Sequence, residues 1–495
     1  MILKINGNIN AYYVQTLCMI YFPGAKFPTD EIPDENTIIA EIDLKENTGL
    51  IHAQVRWTKG ETVSEGEWEA TENTVIGDVE RIRKIAVGRA FMLAGEKFTG
   101  FIPPWGIMTG VRPAKLVTDY LNGGFTTDQA EAVLKNEYFV SDSKARLAVQ
   151  VAEAEKRLIT DGKRKQCSIY IAIPFCPSRC AYCSFVSYTS PGLMKLIPEY
   201  LAALCEDIDR TLALIDRLGL EISTIYIGGG TPTVLTADQL QLLLSHIAGK
   251  TGNTSEFTLE AGRPDTITAE KMAVARAYGV NRVSVNTQTL NEKVLEAIGR
   301  KHTADEFFTA YETARSAGIE AINIDLIAGL PTDTADSFAD TINRILPLAP
   351  ENITVHTFCV KKSAELVTGG VYDREGAEAM ASVDYAYNTL VSSGYQPYYM
   401  YRQKNTVGNL ENVGYARPGY DGLYNVYMME EVHSIFGCGA SSVTKFVSLT
   451  AADGSVRIDR LFQPKYPYEY LRADERDKRY AELQKAAFAF YENFF

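Results

Sequence analysis

The sequence predicts an α/β protein: a partial, TIM-like (β/α)6 barrel in the middle of the chain, with an α+β domain before it and a capping region after it. Three observations predict this. Between residues 168 and 358 an apolar run, a loop and a helical stretch recur six times, the pattern of parallel strands joined by right-handed crossovers. Several of those runs alternate polar with apolar residues. Since the outer face must pack on helices, the polar set points inward and lines a cavity, which an incompletely closed barrel has room for. Finally, the polar linker Asp161-Gly162-Lys163-Arg164-Lys165-Gln166 separates this region from the preceding one. A doubly wound sheet is the alternative architecture.

In the first region, 1–165, residues 37–44 and 51–57 alternate about Glu46-Asn47-Thr48-Gly49 and read as a β-hairpin. Val79, Ile82, Ile85, Ala86, Ala90, Phe91 and Leu93 fall on one helical stripe. The glycine- and proline-rich run 103–115 reads as a loop, whose Arg112 and Lys115 meet an anion or simply border a solvated turn. Helical stretches near 127–135 and 141–159 follow. The barrel region, 166–400, has strands at 168–173, 222–227, 256–260, 282–286, 321–327 and 352–358, with helices near 199–217, 236–249, 268–278, 303–317 and 333–346. The last region, 401–495, is expected to cap the barrel mouth.

Composition narrows the class. The 495 residues carry 49 Lys and Arg against 62 Asp and Glu, a formal charge of -13, which argues against a general nucleic-acid surface. The apolar stretch 12–23 is too short to span a bilayer and lacks the features of a signal peptide, so the expectation is a cytoplasmic protein without a membrane segment. Of the eight cysteines, at 18, 167, 176, 180, 183, 205, 359 and 438, five are scattered. That is unlike a disulfide framework and fits a reducing compartment.

The other three sit together in Cys176-Pro177-Ser178-Arg179-Cys180-Ala181-Tyr182-Cys183, directly after the first barrel strand. Three thiols at CxxxCxxC spacing can converge on one inorganic centre without closing a four-thiolate site. A cubane iron–sulfur cluster held this way keeps one iron open for a small molecule. Zinc ranks below it, because paired CxxC knuckles and nearby histidines are missing locally.

Catalytic groups of a barrel collect where its strands end. Gly228-Gly229-Gly230-Thr231-Pro232-Thr233 follows the second strand: glycines admit close backbone approach, and the carbonyls and Thr231 accept from an amine, although a tight turn alone accounts for such a run. Glu260 ends the third strand and Gln288 follows the fourth. Arg300 either grips a carboxylate at two points or forms a surface pair, Glu260 takes a ribose hydroxyl or an amine or forms a salt bridge, and Asp325 is suited to a ribose hydroxyl. S-adenosylmethionine (SAM) presents those same groups.

These motifs resemble the radical SAM enzymes of the oxygen-independent coproporphyrinogen III oxidase (HemN-like) family. The likeness covers Tyr170 to Cys183, the GGGTPT run, Leu259 to Asp265, Arg282 to Arg300 and Asn323 to Pro331. The runs Trp105 to Pro113, Tyr401 to Asn405 and Gly408 to Tyr415 extend it over most of the chain, toward the HemZ branch. The resemblance implies a [4Fe-4S] cluster on Cys176, Cys180 and Cys183, and SAM contacts at Tyr170, Tyr182, Gly229, Gly230, Thr231, Glu260, Gln288, Arg300, Asp325 and Cys359. It also implies a radical that abstracts hydrogen from a propionate chain. Two oxidative decarboxylations to vinyl groups then turn coproporphyrinogen III into protoporphyrinogen IX, with an electron donor such as flavodoxin or ferredoxin.

Lys361, Lys362, Arg402 and Lys404 are candidate cations for the propionates. The tyrosines of the run 395–404 either face a macrocycle or pack between domains. Phe185 stands where the best-studied oxidase branch has a further cysteine. A heme-binding chaperone branch of the same family carries His-Asn-x-x-Tyr-Trp, where this chain has Glu411-Asn412-Val413-Gly414-Tyr415-Ala416. That disfavours heme ligation here and leaves His433 and His356 as other heme-ligand candidates. A radical enzyme acting on another tetrapyrrole is the third reading.

Overall fold

The computed structural model describes residues 1–28, 32–47, 49–71, 78–183, 187–252, 254–359, 376–403, 406–450 and 455–494. The chain divides into two compact units. One comprises Met1–Glu153, Asp373–Met380 and Met400–Asn412, and the other comprises the rest.

The first unit holds a four-stranded sheet in sequence order: β1 (Ile2–Asn6), β2 (Ile39–Asn47), β3 (Leu50–Lys59) and β4 (Thr62–Thr71). The expected hairpin is β2–β3, paired antiparallel up to Asn47 opposite Leu50. Alternation puts Ala40, Ile42 and Leu44 of β2 and Ile51, Ala53, Val55 and Trp57 of β3 in one apolar layer. A helix, Val79–Thr99, lies on that layer, started by the Asp78 side chain and stopped at Gly100 in the left-handed conformation. Its stripe is as predicted except for Val79, which is exposed in the first turn, and Leu93, which is half-buried. Gly66 of β4 is what lets the helix approach, because a Cβ there would lie 2.2 Å from the Ala90 carbonyl oxygen. A further helix, Pro113–Asn122, begins in the last three residues of the run 103–115 that reads as a loop and continues beyond it. Its proline occupies the first helical position, where no backbone N–H is needed.

A polar knot is buried in this unit. The Glu411 carboxylate accepts from Trp105 Nε1 at 2.6 Å and from Lys144 Nζ at 2.7 Å. Lys144 and Glu411 are each only 2% exposed. Arg402 stacks over the Trp105 ring and donates to the carbonyls of Met108 and Asn409. It is therefore buried in the fold instead of standing free as a cation for a substrate. Lys361, Lys362 and Lys404 lie outside the described residues.

In the second unit the six predicted strands appear as β5 (Gln166–Ile173), β6 (Glu221–Gly229), β7 (Glu256–Leu259), β8 (Arg282–Ser284), β9 (Ala321–Ala328) and β10 (Asn352–Thr357). Each is parallel to the next. The sheet goes further than the sequence indicated. β11 (Gln396–Arg402) and β12 (Glu411–Ala416) extend one edge; β13 (Ser434–Cys438), β14 (Val443–Val447) and β15 (Ile458–Phe462) extend the other. β13 runs parallel to β5. The sheet is open rather than closed into a complete barrel.

Parity along the strands is as expected. Phe257, Leu259, Val283, Val285, Ile322, Ile324, Leu326, Ile353 and Val355 are buried, and the alternate polar residues bond to one another: Asn286 and Asn323 to Asp325, and Thr354 to Asn323. At the opposite end the strand starts are plugged. The Glu256 carboxylate accepts the backbone N–H groups of Leu423 and Tyr424, while Arg282 and Asn352 donate to the Tyr420 carbonyl. So residues 420–424 of the C-terminal region close the floor of the barrel, while Lys465 and Tyr466 of the same region meet Tyr188 at the base of the cysteine loop. Tyr395, Tyr398 and Tyr399 are buried in the fold, with Tyr395 donating to the Pro350 carbonyl. No helix among the described residues is long and apolar enough to cross a membrane.

Removing Glu411 leaves the Lys144 ammonium buried without its counter-ion, a change worth about 3–5 kcal/mol. Glu411→Ala is expected to lower the urea midpoint accordingly, and Glu411→Gln with Lys144→Met to recover most of the loss. All three tryptophans, Trp57, Trp68 and Trp105, lie in this unit, so their fluorescence reads the transition directly.

Candidate functional site

The cysteine loop leaves β5 at Pro174 and is pinched at its base. Cys176 N–H donates to the Tyr188 carbonyl at 3.1 Å and Tyr188 N–H to that of Pro174 at 2.9 Å. The glycine run after β6 backs onto it, with Gly230 N–H on the Ile173 carbonyl and Thr231 N–H on that of Phe175, both at 2.8 Å. A Cβ at Gly230 would meet the Phe175 carbonyl oxygen at 2.5 Å, so this glycine serves loop packing first. Thr231 Oγ1 lies 3.3 Å from Cys176 Sγ.

Cys176 and Cys180 are buried and Cys183 is half-buried. Burial pushes the Cys176 thiol up, the nearby Cys183 and Cys180 thiols add to this, and the hydroxyls of Thr231 and Ser187 oppose it. The three sulfurs thus share one neighbourhood. Among the described residues no group of three His, Cys, Asp or Glu side chains converges on a single metal ion. Three thiols at CxxxCxxC spacing with no fourth beside them are the donor set of an open [4Fe-4S] cluster, which seats each thiolate on a different iron. Phe185 lies outside the described residues.

Two arginines flank the loop. Arg300 is 8% exposed. Its Nε and Nη2 donate to the Tyr182 hydroxyl at 3.3 and 3.0 Å, and its Nη1 to the carbonyls of Gly262 and Asn286 at 3.0 and 3.1 Å. Of its five N–H groups these bonds leave one on Nη2, so the expected two-point grip on a carboxylate requires Tyr182 to give way. Arg263, which the sequence offered only as part of a run, is 3% exposed. It pairs at two points with Asp265 and reaches Ser178 on the cysteine loop.

Inside the barrel the second group of predicted residues meets. Asp325 receives the side-chain amides of Asn286 and Asn323, each at 2.7 Å, and the His356 ring at 3.8 Å. Burial raises this carboxyl, but the His356, Asn323 and Thr354 partners hold it below the usual range. Glu260 has the backbone N–H of Gly229 as its opposing partner; burial, with Asp325 adding to it, pushes the Glu260 carboxyl up to about 8. Two neighbouring acids are driven apart, one charged and one neutral. Gly228 makes space for Glu260, whose Oε2 would lie 2.6 Å from a Cβ there.

Gln288 holds a left-handed backbone (φ 72°) and bonds through its main chain to Asp325 and Ile327, a strained conformation of the kind that gathers at functional sites. Tyr170 stacks on Tyr226, and Tyr226 on Tyr424 with ring centres 4.6 Å apart. Cys359 is half-buried just beyond β10.

Asn286 joins the two groups: its carbonyl accepts from Arg300, and its side chain donates to Asp325. Neither Asn286 nor Tyr226 was singled out as a site residue. Their inward parity was the available signal. His433 is a structural residue, with Nε2 on Ser168 and Nδ1 on the Lys163 carbonyl, and burial depresses it to about 4.

Residues 170–345 match the Radical SAM superfamily. The chain is 38% identical to the oxygen-independent coproporphyrinogen-III oxidase-like protein HemZ of Bacillus subtilis (strain 168), over 78% of this chain and 77% of that one. It is 32% identical to the heme chaperone HemW of the same strain, over 61% of this chain and 77% of that one. Among solved structures, coproporphyrinogen III oxidase (HemN) from Escherichia coli aligns with a TM-score of 0.49 at 23% identity, covering 68% of this chain and 73% of that one.

Because Glu260 stays protonated up to about pH 8, a cationic ligand that favours its carboxylate must expel that proton. Calorimetric titration of the cluster-loaded protein with SAM, in buffers of different ionisation enthalpy, is expected to show proton release below pH 8. Affinity should climb with pH by up to tenfold per unit, and Glu260→Gln should flatten the dependence. Without ligand, the folded state keeps a proton that the unfolded chain loses above about 4.5. Glu260's contribution to stability therefore falls as pH rises from there to about 8.

Proposed function

We propose, for a chain that belongs to the oxygen-independent coproporphyrinogen-III oxidase-like family of radical SAM proteins, that it converts coproporphyrinogen III to protoporphyrinogen IX by oxidative decarboxylation of two propionates. The observation that carries this reading over heme binding is Glu411. Where the chaperone branch is expected to present a heme-ligating histidine, this chain has a carboxylate enclosed by Trp105 and Lys144. Both ring nitrogens of His433 are engaged, and His356 faces Asp325. The oxidase-like relative also aligns with more of this chain than the chaperone does, 78% against 61%, at 38% against 32% identity, which supports the reading.

Cys176, Cys180 and Cys183 would hold three irons of a [4Fe-4S] cluster. When bound, the cluster and SAM supply the electron and the hydrogen-abstracting fragment. The chain's own residues then have distinct tasks. Asp325, kept ionised by its amide partners, is fit to accept ribose hydroxyls. Glu260, held neutral by burial, becomes an acceptor for a cationic ligand. Arg300 presents its remaining N–H to a carboxylate, and Tyr182 acts as the exchangeable partner. Thr231, Gly229, Gly230, Gln288, Tyr170 and Cys359 complete the proposed contacts. Enclosure within the barrel keeps a reactive fragment away from water. The low-potential electron is assigned to an external donor such as flavodoxin or ferredoxin, and an external acceptor takes the electron left after loss of carbon dioxide.

The test is anaerobic reconstitution with iron, sulfide, SAM and reductant, followed by coproporphyrinogen III. Vinyl-bearing product and 5'-deoxyadenosine are expected. Cleavage of SAM with coproporphyrinogen intact and heme bound one to one would favour the chaperone reading instead. Cys180→Ala is expected to abolish both the cluster absorbance and turnover.

A further inference from the structure

We propose that Arg263 is a positioning residue for the cluster: its guanidinium fixes the cysteine loop and sets a positive charge beside the Cys180 sulfur, raising the reduction potential of the centre held there. Five contacts of one buried side chain carry the inference. Nε and Nη2 pair with the two oxygens of Asp265, both at 3.0 Å. Nη1 donates to Ser178 Oγ at 2.7 Å and faces the Ser178 carbonyl at 3.3 Å. The same nitrogen lies 3.9 Å from Cys180 Sγ.

The orientation decides the electrostatics. Asp265 holds the Nε/Nη2 edge of the guanidinium, so the remaining edge, with its positive charge, is turned toward the loop. A cluster becomes more negative by one charge when it is reduced, and a nearby cation that is screened little by water favours that form. Because Asp265 offsets part of the cation, its removal should act in the opposite sense to removal of Arg263. A purely mechanical tether has no reason to produce opposite signs.

The inference rests on the cluster assignment but not on the tetrapyrrole reaction, so its test omits the tetrapyrrole. Reconstituted protein is titrated with low-potential mediators and the reduced cluster is followed by electron paramagnetic resonance. Arg263→Gln is expected to shift the reduction equilibrium about tenfold toward the oxidised form, about 59 mV for one electron. Arg263→Lys should restore part of the shift, and Asp265→Asn should move the midpoint upward. Unchanged midpoints, or a fall in both Arg263→Gln and Asp265→Asn, would overturn the proposal.

Iron-free protein supplies a second measurement for variants that load poorly. Hydrogen–deuterium exchange should show the segment 176–183 exchanging several-fold faster in Arg263→Gln than in the parent, with the helix Val79–Thr99 unchanged as the internal control. Equal exchange over that segment would remove the loop-fixing half of the claim.

Discussion

The second unit is governed by the difficulty of keeping ionisable groups inside a parallel sheet. Such sheets ordinarily bury apolar side chains on both faces, and an unpartnered polar group there is costly. Here the inward positions of β7 to β10 and their extensions carry Glu260, Asn286, Asn323, Asp325, Thr354 and His356. The solution is unequal. Asp325 gathers two amides and an imidazole and remains charged, whereas Glu260, with one backbone N–H, keeps its proton. One charge rather than two is thereby confined in the interior. Under the proposed function, an arriving cation would convert Glu260, the least comfortable member, into a partner.

That arrangement dictates features that look unrelated in the sequence. Gly228 is small because the Glu260 carboxylate lies where a side chain would be, and Gly230 because the Phe175 carbonyl does. β8 is only three residues long. Beyond its end the chain departs from regular pairing, so that Asn286 turns its carbonyl to Arg300 and its amide to Asp325, and Gln288 takes up its left-handed conformation. A longer, regular strand would hold both main-chain groups in the ladder and disconnect the cysteine loop from the carboxylates.

Much of this was legible because it depends on local spacing. The CxxxCxxC run, the strand–helix alternation and the inward polar parity are all properties of neighbouring residues, and each corresponds to something in the structure. What escaped notice depends on residues far apart in the chain. Arg263 and Ser178 are linked across 85 positions, Arg300 and Tyr182 across 118, and Trp105 and Glu411 across 306. No periodicity encodes such pairs. Arg402 shows the converse: it reads as a free cation, yet the backbone carbonyls of Met108 and Asn409 take it up. The floor of the barrel was missed for a similar reason, since Glu256 at a strand start gives no sign that it will hold the N–H groups of Leu423 and Tyr424.

The knot at Glu411 also bears on how chemistries can diverge within one family. A heme-ligating histidine must be neutral at the ligating nitrogen and reachable by the iron. Glu411 meets neither condition. It is an anion with a buried lysine 2.7 Å away on one oxygen and an indole N–H 2.6 Å away on the other. Restoring a histidine alone would leave Lys144 charged, buried and without its counter-ion, a penalty that the new imidazole does not relieve. Lys144 would have to change as well, and the Trp105 indole would need another acceptor. A histidine at 411 therefore calls for coupled changes at Lys144 and Trp105, which makes the polar knot a stronger feature of this stretch than the single residue at 411.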